Sequence, residues 1–239
     1  YFGEISQTDY ATYKDRLDTF GAVDWFRYIY QTAPTYPGEF SVNGGSENIG
    51  YYVSGSYMNQ DGMAPQSSME RYTMRTNLSA QANSWLRINL NLAAAVDKRE
   101  STQGATTSQG LNPTSVTNFP IYMATYMTRQ YFDEETGRIE DYLLFPNNMI
   151  DPYYVMEKAP QWGNNHLLNG NFSIVLTPVK GLTITSLNGI DGNYSTYTFT
   201  GLPSHFASGG TGSRTRQFSQ YYTLSTSNTI EYKFEPIKD

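Results

Sequence analysis

The sequence contains no cysteine and two histidines, His166 and His205, in 239 residues. Disulfide bonds and thiolate metal sites are therefore excluded, and two isolated histidines are too few for a multi-histidine metal site. No run of about 20 apolar residues occurs, so with a mean hydropathy of −0.53 helical membrane spans are excluded. A formal net charge of −6 argues against nucleic acid as a partner.

Enzyme motifs are also missing. The chain has neither a G-x-S-x-G motif nor a glycine-rich phosphate loop, and neither histidine stands where it would nominate a general base. Glu134 and Glu135 lie in a polar segment, where solvated carboxylates are the ordinary case. We therefore expect a protein that is not an enzyme, with no catalytic residue, no cofactor and no bound metal.

Aromatic residues and strict alternation are what the sequence does have. Aromatics make up 15% of the chain and include 21 tyrosines, a level that suits interfacial belts and walls that contact sugars or peptides. Within the segment Trp85–Val96, apolar side chains at even positions alternate with the polar Arg87, Asn89 and Asn91 at odd positions, which is the period of a strand rather than a helix. Residues 49–58 and 71–79 alternate in the same way. These segments predict an antiparallel meander with one apolar and one polar face.

The length of these segments bears on which solvent meets the apolar face. Strands of soluble sandwiches usually run about 5–6 residues, whereas a strand that crosses a membrane needs about 9–11. Aromatic residues stand near the strand ends, and the turns at 44–48 and 81–84 are shorter than the one at 60–69, as in outer-membrane barrels. The aromatics concerned are Tyr51, Tyr57, Tyr72 and Trp85. A large soluble all-β sheet with one solvated face is the alternative that the pattern leaves open.

A series of short motifs carries a resemblance to a known family. In chain order they are Asp24-Trp-Phe26, Phe40-Ser-Val-Asn-Gly-Gly-Ser-Glu47, Tyr51-Tyr-Val-Ser-Gly-Ser-Tyr57, Asn59-Gln-Asp-Gly62, Glu70-Arg-Tyr72, Arg75-Thr-Asn-Leu-Ser79 and Trp85-Leu86. In this order and spacing they resemble the barrel region of the SusC/RagA family of TonB-dependent outer-membrane transporters. The resemblance is dense from Asp24 to about Arg99, and the segment Pro178–Ile184 resembles that family's periplasmic turn.

The resemblance implies a location, a function and partners. It implies a protein of the bacterial outer membrane that takes up oligosaccharides or oligopeptides, with a SusD-like surface lipoprotein as lid. A TonB-type energy-coupling protein would act through the family's plug, and membrane lipid would surround the wall. On this interpretation residues 1–239 are part of a large transmembrane β-barrel, with the plug domain, the signal peptide and the remaining strands outside the chain. A secreted carbohydrate-binding all-β domain is the alternative.

Long extracellular loops are predicted between the strands. Residues 1–38 are predicted as a loop containing a short helix at 24–30 with Asp24 as its N-cap, and residues 101–166 as a long connection without regular structure. Strands are predicted to resume at Leu168, turn at 177–181, give way to a second loop at 193–212 and turn again at 225–228. The total is about eight strands, with the edges near Phe40 and Ile230.

Three loop residues are candidate ligand contacts: Trp25, Trp162 and Asn164. Trp162 would stack on a sugar ring while the amide of Asn164 bonds its hydroxyls, and the alternative role for Trp162 is a loop anchor. Trp25 would supply an aromatic ring to a ligand cavity, and the alternative is a helix packed on its own loop.

Overall fold

A computed structural model describes residues 7–101, 119–123, 127–142, 151–205 and 210–234. The strands are β1 (Thr35–Gly45), β2 (Ile49–Asp61), β3 (Ser68–Asn83), β4 (Leu86–Ser101), β5 (Gln130–Asp133), β6 (Arg138–Asp141), β7 (Gln161–Leu176), β8 (Leu182–Gly201) and β9 (Ser213–Tyr232). The helices are α1 (Gln7–Phe20), α2 (Trp25–Ile29), α3 (Phe119–Tyr122) and α4 (Pro152–Lys158). None of the helices in these ranges is long and apolar enough to cross a membrane.

Seven strands form one antiparallel sheet in the order β1-β2-β3-β4-β7-β8-β9, and β5 and β6 form a separate hairpin. Each strand of the large sheet pairs with the next one along the chain in that order, so the sheet is a meander whose longest insertion lies between β4 and β7. The strands of this sheet are 11 to 20 residues long, well above the usual length in soluble sandwiches. The predicted all-β meander is confirmed.

The pairing register separates the side chains of the large sheet into two faces. Leu90 lies opposite Leu78 on one neighbouring strand and Phe172 on the other. Asn89, which points the other way, lies between Ser79 and Ser173. We call the two sides the apolar face and the polar face. The apolar face includes Phe40, Val42, Tyr51, Val53, Tyr57, Tyr72, Met74, Leu78, Leu90, Leu92, Phe172, Ile190, Leu224 and Ile230.

The apolar face is uncovered in the part of the chain that the structure describes. On the two edge strands, Phe40 is 68% exposed and Ile230 is 75% exposed, and on the interior strand β3 Met74 is 55% exposed. The buried apolar cluster lies instead among the connecting segments. Its members are Trp25, Ile29, Phe119, Met123, Met127 and Met156. The apolar face of the sheet therefore requires contact with other apolar groups to be shielded from water. The connecting segments, in contrast, pack around a core of their own.

Short turns lie at one end of the sheet and longer connections at the other, as predicted. The turns 46–48, 84–85 and 177–181 are at the first end, and the connections 62–67, 102–160 and 202–212 are at the second. Gly181 adopts a left-handed φ of +87°, and a side chain at this position would overlap the carbonyl oxygen of Lys233. The prediction of a turn at 177–181 is confirmed.

Two expectations about the N-terminal half need correction. Residues 1–38 are not all loop, because α1 occupies Gln7–Phe20 and β1 already begins at Thr35. The short helix at 24–30 is confirmed as α2. Residues 101–166 contain α3, α4 and the β5–β6 hairpin, and β7 begins at Gln161 rather than Leu168. The structure of this part shows that polar and proline-rich segments form short elements once they can pack on one another.

The two last strands also run further than predicted. β8 continues to Gly201, so the second loop is shorter than the predicted 193–212. The turn predicted at 225–228 is wrong, because β9 is one strand that pairs with β8 without a register shift from Ser213 to Tyr232. The large sheet consequently has seven strands rather than about eight. The predicted edges are confirmed, since β1 and β9 are the outer strands of the sheet.

Candidate functional site

An ion pair anchors the polar face near its long-loop end. Asp97 lies opposite Arg71 on β3 and Asn165 on β7, so the strand register alone brings the three side chains together. Arg71 donates to both carboxylate oxygens of Asp97, with Nε–Oδ1 and Nη2–Oδ2 distances of 2.6 and 2.8 Å. The Asp97 side chain is fully buried, and Arg99 adds a second cation at 3.7 Å. A bidentate pair of this kind fixes the position of β3 relative to β4 at this level of the sheet.

Below this pair, the polar face has a shallow depression of about 270 Å³. Ala93 forms part of its floor, and its neighbours at the same register level are Arg75 on one side and Asn169 on the other. Asp191 comes next on β8 and accepts a hydrogen bond from Asn169 Nδ2 at 3.3 Å. The small side chain of Ala93 leaves room between the cation Arg75 and the anion Asp191. This space can bind a peptide that carries both charges, or the hydroxyls of a sugar.

The loop segments form a second candidate region around α2. Asp24 caps this helix by accepting a hydrogen bond from the Arg27 N–H at 3.0 Å, which confirms the predicted N-cap. The cap directs Trp25 and Ile29 inward, where they are 4% and 1% exposed. The Trp25 ring meets Phe119 edge-on at 5.6 Å between centroids, so a residue some ninety positions away completes its packing.

A hydrogen-bonded link joins α2 to α4. Asp151 caps α4 through Oδ1, which accepts from the N–H groups of Tyr153 and Tyr154, while its Oδ2 accepts from the Tyr28 hydroxyl at 2.8 Å. A second hydrogen bond joins the same segments, because the Tyr153 hydroxyl donates to the Tyr28 carbonyl at 2.8 Å. Burial, followed by the hydrogen bond to Asp151 and its charge, raises the pKa of Tyr28 above its ordinary value. Tyr28 therefore stays a neutral donor in this link.

A cavity of about 600 Å³ opens beside the link. Its wall carries both signs of charge, because Arg129 pairs with Asp141 at 2.9 Å and stands 5.4 Å over the Tyr28 ring. Arg27 and Glu157 line the same cavity at exposed positions. The mixture of tyrosines and opposite charges suits a polar ligand with apolar parts, such as a peptide or a glycan.

The structure brings two of the three predicted ligand residues together. Trp162 and Asn164 line one cavity of about 480 Å³, with Glu70 and Lys98 among its other walls. This cavity lies on the side of the sheet that carries the apolar face, at its long-loop end. Trp162 is 37% exposed and has the Arg214 guanidinium 5.7 Å from its ring. Trp25 is elsewhere and buried, which is the packing role that the sequence analysis left open for it.

Sequence reasoning missed the Tyr28–Asp151 link, whose partners are 123 residues apart. The start of α4 could be predicted from the sequence, because Asp151-Pro152 is an N-cap followed by a first-turn proline. No local signal pairs that cap with Tyr28. The ranges that the structure describes contain no cluster of three or more His, Asp or Glu side chains that could hold a metal ion.

Comparison with known proteins relates this fold to transporters, although no family model matches the sequence. The chain is 29% identical over 143 residues to TonB-dependent receptor P26 of Formosa agariphila, an alignment that covers 55% of this chain and 14% of the relative. It is 33% identical over 89 residues to TonB-dependent receptor P3 of the same organism, covering 36% of this chain and 9% of the relative. The chain thus spans a small part of the length of these relatives.

Solved structures match the fold of this chain over most of its length. The RagAB peptide importer in its closed-closed state matches with a TM-score of 0.72 and 29% identity, over 91% of this chain and 24% of that one. The open-open state of the same importer matches with a TM-score of 0.69 and 27% identity over 90% of this chain and 24% of that one. The relatives are receptors and importers rather than enzymes, in line with the expectation from the sequence. In its motifs, its relatives and its fold, the chain is similar to the barrel region of SusC/RagA-type TonB-dependent outer-membrane transporters.

Proposed function

We propose that this chain is wall and loop sequence of a transporter that takes oligosaccharides or oligopeptides across the outer membrane. The observation that supports this most is the long-stranded meander with one apolar and one polar face, which superposes on the RagAB peptide importer over 91% of its length. On this proposal the apolar face contacts lipid, and the polar face contacts the lumen or the plug. Lengths of 13 to 20 residues in β2 to β9 of the large sheet exceed the span that a barrel needs.

The proposed partners follow from the family resemblance. A SusD-like surface lipoprotein would close the lumen from outside, and a TonB-type protein would supply energy through the plug. The cluster of α2, α3 and α4 lies at the long-loop end of the sheet, where such a lid would meet the barrel. Trp162 and Asn164 are proposed as ligand contacts on the outer side of this rim, which carries the apolar face, and Trp25 as the residue that orders the loops around it.

Uptake by a deletion strain tests the function. Removing the gene is expected to abolish accumulation of at least one glycan or peptide pool, and the wild-type gene is expected to restore it. Trp162→Ala should lower the uptake rate with little change in the amount of protein in the outer membrane. A matched control is Trp85→Ala, which changes an aromatic at the opposite end of the wall. Unchanged uptake of every glycan and peptide offered to the deletion strain would contradict the proposed function.

A further inference from the structure

Two arginines stand at the long-loop end of β9, on the side of the sheet that carries the apolar face. We call this side the outer side. Every second residue of β9 points to it, because the strand pairs with β8 without a register shift. From the end with the short turns, the outer residues include Ile230, Leu224 and Phe218, and the last two are Arg216 and Arg214. Two neighbouring cations therefore end the outer side of this strand.

Aromatic rings position both guanidinium groups. Arg214 Cζ lies 5.7 Å from the centre of the Trp162 ring on β7, and Arg216 Cζ lies 4.8 Å from the centre of the Phe218 ring. A contact of this kind uses the flat face of a guanidinium and leaves the N–H groups at its edge able to donate. Neither arginine forms an ion pair within the described ranges. Their N–H donors are therefore available to an external anion.

The outer carboxylates of β3 and β4 belong to a different part of the wall. Glu100 and Arg216 lie on one register line that runs through β7 and β8, so three strand spacings separate them. At about 4.8 Å per spacing the two backbones are about 14 Å apart, beyond the screening length of about 8 Å at physiological ionic strength. Lys98, another outer cation, has its own carboxylate in Glu70 at 3.8 Å. The positive charge of Arg214 and Arg216 is therefore not neutralised by these carboxylates.

The height of the arginines in the proposed barrel follows from the length of β9. Tyr232 ends this strand opposite Leu182, next to the short turn 177–181, where a barrel has its inner boundary. The stretch from Tyr232 to Arg216 extends about 53 Å at 3.3 Å per residue, or about 40 Å along the barrel axis at the usual tilt. Arg216 is thus about 10 Å beyond a hydrocarbon layer of about 30 Å, whereas ordinary headgroups extend about 5–8 Å from that layer. This height suits a larger headgroup than that of a phospholipid.

We propose that Arg214 and Arg216 bind the phosphorylated saccharide headgroup of a glycolipid in the outer leaflet of the membrane. Guanidinium groups bind phosphate through paired N–H donors. Two neighbouring guanidinium groups with free edges match a headgroup that carries phosphate on a sugar. The inference rests on the proposed outer-membrane barrel, because the outer side of β9 meets lipid only in that setting.

The surroundings of the arginines favour a lipid over a partner protein. Tyr222 and Phe218 stand between Leu224 and the two cations on the same side of β9 and are 66% and 59% exposed. Aromatic rings followed by long cationic side chains are the usual order at a membrane interface. An acidic partner protein would account for the cations but not for this order.

Binding of a defined glycolipid to the full-length protein tests the inference. The probe is fluorescent lipid A, an acylated glucosamine disaccharide with phosphate groups, titrated into the protein in detergent micelles. Arg214→Gln combined with Arg216→Gln should raise the dissociation constant about ten-fold, equivalent to about 1.4 kcal/mol. The matched control is Arg87→Gln combined with Lys233→Gln, which removes two positive charges at the end with the short turns and should leave the dissociation constant unchanged. Equal affinity in the wild-type protein and the arginine double variant would overturn the inference.

Removal of the phosphates tests which part of the glycolipid the arginines contact. Dephosphorylated lipid A should bind the wild-type protein about ten-fold more weakly than lipid A, and the arginine double variant should show little further loss. Fully additive losses would place the phosphates elsewhere and overturn the inference. Phosphatidylglycerol should compete weakly, because its phosphate lies close to its acyl chains. Competition by phosphatidylglycerol as strong as that by unlabelled lipid A would overturn the assignment to a glycolipid.

Two outcomes separate this inference from a protein partner and from the proposed function. Loss of the SusD-like lipoprotein from the purified arginine double variant, with its affinity for lipid A unchanged, would overturn the inference in favour of an acidic protein partner. Lipid A binding is measured on purified protein without transport. Unchanged uptake by the deletion strain would therefore contradict only the proposed function, and unchanged lipid A affinity in the arginine double variant would contradict only this inference.

Discussion

At the scale of single residues, the function of each side chain depends on which face of the sheet its strand position gives it. Leu90 and Asn91 are neighbours in sequence, yet they belong to the apolar and the polar face. The side chains on the two faces meet different solvents in the proposed barrel. Substitutions at adjacent positions should therefore differ strongly in cost.

Leu90→Arg should destabilise the folded barrel by about 2–4 kcal/mol, because it places a charge on the lipid side near the midplane. Asn91→Arg is the matched control and should cost far less, since its side chain lies on the exposed polar face. Reversible unfolding in lipid vesicles measures both. Similar costs at the two positions would contradict the assignment of the faces.

The buried carboxylate of Asp97 makes a second residue-scale prediction. Arg71→Met leaves Asp97 without its bidentate partner, which should cost about 2–3 kcal/mol, below the value for a fully buried pair because Arg71 is 36% exposed. Glu70→Gln is the control, since it removes only an exposed contact to Lys98 at 3.8 Å and should cost at most about 0.5 kcal/mol. Denaturant titration in lipid is the measurement. A loss no larger than that of Glu70→Gln would show that the pair is not a structural anchor.

At the scale of elements, the loop helices are held by tertiary contacts, among them a partly buried hydrogen bond, rather than by their own length. Helix α2 has five residues and α4 has seven, too short to be stable alone. Their packing depends on the aromatic contacts of Trp25 and on the hydrogen bond between Tyr28 and Asp151. The two helices should therefore loosen together when that bond is lost.

Alkaline pH should release α2 from α4. The pKa of Tyr28 is raised in the folded loops, so the neutral hydroxyl is favoured there, and its stabilising effect is complete below the ordinary tyrosine pKa of about 10. The effect is lost as the pH rises above that value. Fluorescence of Trp25, measured with Trp85 and Trp162 replaced by phenylalanine, should report the opening. Tyr28→Phe should weaken the packing at neutral pH and remove this alkaline step, and an unchanged step in that variant would assign it to another group.

The elements that sequence reasoning predicted correctly are those with a regular alternation. The strand in the segment Trp85–Val96 is identifiable because apolar and polar side chains alternate from Leu86 to Leu92, and its neighbours in the register alternate in the same way. The sequence gives no such contrast at 225–228, where Thr226 and Asn228 bring polar side chains to the apolar face. A turn was predicted there because polar residues appeared on both sides. The physical cause of the error is therefore that Thr226 and Asn228 interrupt the apolar face within one continuous strand.

The loops were the least predictable part for a related reason. Trp25, Phe119 and Met156 form one core although they are far apart in sequence, and none of them lies in a segment with a clear period. Asp24 could be identified as a cap because capping is local. The partners of that helix could not, because long-range contacts leave no mark on local composition.

At the scale of the whole molecule, the sheet has two edge strands in the described ranges, β1 and β9, each paired on one side. Unpaired edges template association with other chains, and closure of a barrel removes them. The uncovered apolar face adds a hydrophobic cost of about 25 cal/mol per Å² in water. The unpaired edge strands and the uncovered apolar face both favour a larger assembly.

The 239-residue chain alone should therefore associate in buffer without detergent. Light scattering should show large particles, and hydrogen exchange should show weaker protection in β1 and β9 than in the interior strand β4. Detergent should reduce the particle size by covering the apolar face. A cooperative, protected monomer in plain buffer would contradict the barrel interpretation and favour the secreted β-domain.

The 20-residue lengths of β8 and β9 have a consequence for how a captured molecule escapes. Such strands extend about 66 Å at 3.3 Å per residue, or about 50 Å along the barrel axis at the usual tilt, against a hydrocarbon thickness of about 30 Å. In the proposed barrel the wall therefore rises beyond the bilayer as a collar. A molecule that dissociates inside the collar must diffuse along it before reaching bulk water, so we expect rebinding to compete with escape and residence to exceed what the contacts alone provide.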